Sequence, residues 1–205
     1  MKSSTLKSPL SLLIAVFAIL TLLMLATRTH HFSAFNQLPS ASIAIFFLAG
    51  MYLRSIKSFW FFYILSIVID LSSSYFRGQL GDCLTTSYPA LAFSYAAMFA
   101  AGFYSRPVWK SQNVINNALI NIAKVALCLF VASSIAFAIS NGSYYLFSGK
   151  FDPTWAEYTL RVEKYYLRSI SNPVFYVVSA LVIDWSIARF FSIQYTINTT
   201  KNKTV

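Results

Sequence analysis

Acidic residues are scarce in this chain: 6 Asp and Glu stand against 16 Lys and Arg in 205 residues. Charged residues of both signs reach only 11%, hydrophobic ones 57%, and the mean hydropathy is +0.60, more apolar surface than one soluble core of this size would hide. The formal charge of +10 does not indicate nucleic acid, because the basic residues punctuate apolar runs instead of lining one face of a polar domain. There is no Gly-rich phosphate loop, Walker motif or GxSxG, so nucleotide hydrolysis by this chain alone is not expected. Two histidines and two cysteines, without metal-ligand spacing, give no resident metal site, and no second cysteine lies near Cys83 to resolve a redox cycle. Heptads, linkers and low-complexity tracts are missing too.

What is present is a succession of apolar spans, near 9–27, 40–54, 58–76, 87–104, 114–140 and 172–195, the second of them short. At ~1.5 Å per residue each crosses or nearly crosses a ~30 Å hydrocarbon core. Runs such as "SLLIAVFAILTLLMLA" and "ALCLFVASSIAFAI" do not alternate, which excludes the strands of a membrane barrel. The sequence predicts an all-α membrane protein of six transmembrane helices in a single domain, 1–205. The first span exceeds a usual signal-peptide core and "ATRTHH" makes a poor cleavage site, so this span is expected to remain as a helix.

Basic residues without any acid mark Lys2 and Lys7, Arg54 and Lys57, Arg106 and Lys110, and Lys201 and Lys203, as on cytoplasmic segments. The alternate segments hold Asp82, Asp152, Glu157 and Glu163. Both termini are therefore expected in the cytoplasm, with the Cys83 loop outward. In "FDPTWAEYTLRVEKYYLRSI", Asp152 and Pro153 read as a helix start. Trp155, Tyr158, Val162 and Tyr165 recur at helical spacing, with Glu157, Arg161, Lys164 and Arg168 largely opposite. An outer amphipathic helix near 153–168 is predicted, as interfacial anchor or as lid.

Charges within spans read as functional or paired. Lys124 and Asp184 both fall near mid-membrane and suit a buried ion pair or a proton relay. Asp70 lies in the outer half of the third span, followed by Ser72, Ser73, Ser74, Tyr75 and Arg77, and either lines a cavity or hydrogen-bonds neighbouring helices. His30 and His31 end the first helix on the same side, as polar end-caps or as pocket contacts. Cys128, inside "ALCLFVA", is a small apolar residue. Cys83, in "LGDCLTTSYPA", is an outward thiol whose uses are nucleophile, redox partner or soft metal ligand, the metal arriving within a ligand.

The stretches "HHFSAFNQLPSASIAIFFLAGMYLR" and "GDCLTTSYPALAFSYAAMFAAGFY", with an Asp in the third span, resemble the BtuM-type cobalamin uptake proteins. These are small relatives of the substrate-binding S-components of energy-coupling-factor transporters. The resemblance implies an S-component-like fold, a bacterial inner-membrane location and uptake of cobalamin or cobinamide, the cobalt corrinoid being cargo and no cofactor resident. It implies Cys83 as axial cobalt ligand, displacing an axial group of the bound corrinoid, with His31, Asp70, Tyr88 and Arg161 as further substrate-binding residues. An ATP-driven energising module is the partner the resemblance suggests. Yet Ala15, Ala18 and Ala26 form no AxxxA pair in the first helix, the pattern through which many S-components dock. Small residues at that spacing fall in the fourth helix, at Ala92, Ala96 and Ala100 and at Ala97 and Ala101. An S-component for another vitamin and a membrane-embedded thiol enzyme, with Cys83 as nucleophile and Asp70 or His31 as base, are the competing readings.

Overall fold

The computed structural model describes residues 10–28, 40–76, 89–110, 118–149, 151 and 154–201. Every regular element among them is helical: α1 (Leu10–Arg28), α2 (Ser42–Leu48, continuing as one π-helical turn, Ala49–Leu53), α3 (Ile56–Phe76), α4 (Ala90–Lys110), α5 (Ala118–Phe147) and α6 (Trp155–Lys201). Four of them, α1, α3, α5 and α6, are long and apolar enough to cross a membrane. α2 is the short one, as expected, spanning only about 18 Å at 1.5 Å per residue.

The shortest helix supplies the largest share of the core. Ile45, Phe46, Phe47, Ala49 and Met51 of α2 are fully enclosed, packed against Met24 of α1, Phe62 of α3, Met98 of α4 and Val177 of α6. The long helices instead turn large apolar side chains outward: Ile14, Ile19 and Leu22 on α1, Trp60, Ile64 and Val68 on α3, Val178 and Val182 on α6. An exterior of this kind is stable against lipid and not against water.

α2 and α4 cross with their backbones in contact. A methyl group added at Gly50 would collide with the carbonyl of Phe99, and one at Gly102 with the carbonyl of Phe47, so each glycine makes room for the other helix. Just beyond, the π-helical turn closes with the Arg54 amide donating to the Ala49 carbonyl at 3.1 Å. Arg54 then takes φ +52°, which ends the helix and lays its guanidinium 3.9 Å over the ring of Phe103. α4 packs as extensively against α5 as against α2, and the Ser94 hydroxyl donates across to the Ala136 carbonyl at 3.1 Å.

One boundary differs materially from expectation. The amphipathic segment near 153–168 and the last span are a single 47-residue helix, α6, running through Pro173. Proline removes only the bond to the Ser169 carbonyl, and a helix held on one side by a neighbour tolerates that loss. At about 1.5 Å per residue α6 is roughly 70 Å long, more than twice a bilayer core. α4 likewise carries Pro107 inside its last turns and extends to Lys110, beyond the expected 104.

Candidate functional site

The end of α1 carries the most connected polar group of the bundle. Arg28 donates from Nε to Asp70 Oδ1 at 2.7 Å and from Nη2 to Oδ2 at 2.6 Å. Its Nη1 donates to the Ser42 hydroxyl at 2.8 Å and to the Tyr95 hydroxyl at 3.0 Å. One guanidinium thus joins α1, α2, α3 and α4. The pairing is bidentate, and the side chains of Arg28 and Asp70 are only 11% and 23% exposed, so little water screens it. The Tyr95 ring is stacked 4.2 Å from that of Phe46, which anchors the cluster on the core. Beside it the Ala41 amide donates to the Thr27 hydroxyl at 3.3 Å.

Asp70 therefore has both carboxylate oxygens on Arg28. Of the two roles left open for it, bonding between neighbouring helices is the one this geometry gives. Arg28 went unnoticed in the sequence, although a carboxylate inside a span signals that a cation stands at its level.

This cluster borders two connections. Residues 29–39 run from Arg28 to the start of α2, and 77–88 run from the end of α3 to the start of α4. His31, Cys83 and Tyr88 fall in these connections and lie outside the described residues, as do His30 and Asp82. The described helix ends that flank both connections are those that Arg28 ties together.

At the opposite end, Asp184 of α6 accepts a hydrogen bond from Trp109 Nε1 at 2.7 Å, with Arg106 Nη1 3.6 Å from the same oxygen. The Arg106 guanidinium lies 4.6 Å from the centre of the Tyr52 ring. This corrects the expected pairing of Asp184 with Lys124. Asp184 reaches α4, where a guanidinium and an indole already stand half buried, while Lys124 is exposed along the α4–α5 groove with Ala97, Ala101 and Cys128. Its long stem lets the ammonium leave the apolar layer without a carboxylate. Cys128 is a half-buried packing residue, its Sγ 3.6 Å from the Ala101 carbonyl.

Arg161 occupies a third place, where α5 turns into α6. Its Nε donates to Asn141 Oδ1 at 3.0 Å, and the rings of Phe151, Tyr144 and Tyr165 lie 4.6, 5.2 and 5.2 Å from the guanidinium carbon. Arg161 thus faces α5 instead of the polar outer side, and Trp155, expected on the apolar face, is 85% exposed. The amphipathic stripe is rotated because Tyr158, Arg161, Val162 and Tyr166 are the residues turned towards the bundle. Beside them is a cavity of about 380 Å³ lined by Gly142, Tyr145, Leu146, Thr154, Trp155 and Tyr158. The Tyr145 hydroxyl both donates to the Thr154 carbonyl and accepts from the Thr154 amide, each at 2.8 Å, which closes the turn.

Among the described residues, no three His, Cys, Asp or Glu side chains come together as a metal site. No family model matches the chain, and no curated protein matches it. Among the described residues, the fold and its exterior define an all-helical protein with four helices long and apolar enough to cross a membrane.

Proposed function

We propose that this chain is an uptake protein of the bacterial inner membrane that captures cobalamin or a related corrinoid at its outer face. Six helices form the transmembrane body, with α2 and α4 joining the four long apolar ones, in an S-component-like arrangement with both termini cytoplasmic. Cys83 is the axial cobalt ligand, and His31 and Tyr88 line the same mouth. Asp70 acts there through Arg28, as the brace of the mouth. The observation that supports the reading is the Arg28 cluster, which ties α1, α2, α3 and α4 together near the helix ends from which the segments bearing His31, Cys83 and Tyr88 depart. A rigid rim of that kind is what a ligand with one strong protein-to-metal bond needs, because the thiol must meet the cobalt in a fixed position.

The basic residues Arg54 and Arg106 stand at the opposite end, each against an aromatic ring. That asymmetry supports placing the Arg28 end outward. The test is the visible spectrum of the protein purified with cobalamin, repeated with Cys83→Ser. The expected result is a shifted corrinoid spectrum in the native protein that the serine variant lacks. A colourless protein, or a spectrum indifferent to the substitution, overturns the reading. Growth of a corrinoid-dependent strain lacking other importers tests transport separately.

A further inference from the structure

Arg161 is held as if for a ligand. Three aromatic rings fix the guanidinium at 4.6 to 5.2 Å, and its hydrogen bond to Asn141 uses Nε alone. The terminal nitrogens Nη1 and Nη2 make no hydrogen bond among the described residues. They form the fork that matches two oxygens of a phosphate or carboxylate. Lys164, 5.3 Å over the Tyr165 ring, adds a second positive charge nearby.

The neighbouring cavity complements this fork. Its volume of about 380 Å³ is near the lower end of ligand pockets, roughly 300–1,000 Å³. It has room for a bicyclic ring and not for a whole corrin. Tyr145, whose hydroxyl is already committed to Thr154, forms one wall by its ring, 5.3 Å from that of Tyr158 and 5.6 Å from that of Phe151. Phe151 in turn is one of the three rings on Arg161, so the cation reaches the cavity wall at Tyr145 through one intervening ring. Gly142 lines the cavity opposite the Tyr158 hydroxyl, where even a methyl group would come into contact with that hydroxyl at 3.7 Å and a larger side chain would enter the space.

We propose that the α5–α6 turn is a subsite for a flat aromatic group carried on an oxyanion, with the ring in the cavity and the oxyanion on the Arg161 fork. The inference rests on the corrinoid reading for its ligand, in which the phosphate-linked base of complete cobalamin is the group of that class. Cobinamide, which has the corrin but neither phosphate nor base, lacks it. The subsite therefore makes the protein discriminate between the two.

The experiment titrates cobalamin and cobinamide by calorimetry into the purified full-length protein and into Arg161→Gln, Arg161→Lys and Gly142→Leu. The native protein is expected to bind cobalamin about tenfold or more tightly over cobinamide, the size of one charge-assisted bidentate contact. Arg161→Gln removes most of that preference and leaves cobinamide affinity unchanged, which also certifies the fold. Arg161→Lys keeps part of it, and Gly142→Leu, which fills the cavity, weakens cobalamin alone. Equal affinity for both ligands in the native protein, or an equal loss for both in Arg161→Gln, overturns the subsite and leaves the corrinoid reading standing. Binding of neither ligand overturns both.

Discussion

Asp70 and Arg28, 42 residues apart in the chain, meet face to face, each carboxylate oxygen on its own guanidinium nitrogen. The third nitrogen of Arg28 serves Ser42 and Tyr95. Removal of either charge strands the other in a place with little water.

Arg28→Ala and Asp70→Ala are each expected to destabilise the protein by about 3 kcal/mol, the usual loss when one partner of a largely buried pair is removed. Replacing both together, Arg28→Met with Asp70→Leu, recovers most of that loss. Thermal unfolding in detergent measures all three. A double variant no better than the singles would mean that Ser42 and Tyr95, not Asp70, carry the value of Arg28.

The opposite end predicts a contrast. Asp184→Leu leaves Arg106 half buried without its counter-ion and Trp109 without its acceptor, and is expected to cost about 1–2 kcal/mol, held down by the partial exposure of the carboxylate. Lys124→Gln is expected to change stability by less than about 0.5 kcal/mol, as at an exposed site. Equal effects of the two substitutions would restore a coupling between Lys124 and Asp184. The fluorescence of Trp109, isolated by replacing the other tryptophans, is expected to respond to Asp184→Leu alone.

Gly102→Ala and Gly50→Ala are the smallest substitutions with the largest expected effect. Each methyl would push against a carbonyl of the opposing helix, and no rotamer relieves a backbone collision. A loss of about 3 kcal/mol or more is expected from either, at the upper end of overpacking. Ala96→Ser, one residue type away on the same helix, serves as the mild control in the same melting assay.

Tyr145→Phe removes one hydroxyl and two hydrogen bonds, those with the amide and the carbonyl of Thr154. About 1–2 kcal/mol of local stability should disappear. Faster hydrogen exchange at the Thr154 amide, with unchanged exchange in α2, is the expected signature.

The helical character, the short second helix and the packing role of Cys128 were legible in the sequence, because each follows from apolar run length or from the company a residue keeps. The partners of Asp70 and Asp184 were not. Depth along a helix is readable by counting, but direction around it depends on packing, and Lys124 and Arg106 differ in direction more than in depth. Nor was the continuity of α6 through Pro173: a helix held by a neighbour runs through a proline, and α6 leans on α5 through Tyr166, whose hydroxyl is 2.9 Å from that of Ser134. The orientation of Arg161 depended on the rings of Tyr144 and Phe151, one on α5 and one in the turn, which no periodicity within α6 encodes.

The glycine crossing also sorts the bundle by what can move. Two helices whose main chains touch have no side-chain layer in which to slide, so α2 and α4, with α5 bound to α4, travel together as one block. α1 and α3, joined to each other by Arg28 and Asp70, meet that block through side chains and through the two bonds of Arg28 to Ser42 and Tyr95. Relative motion within the bundle is therefore easiest along their seam, sideways, with Arg28 as the latch that lets go first.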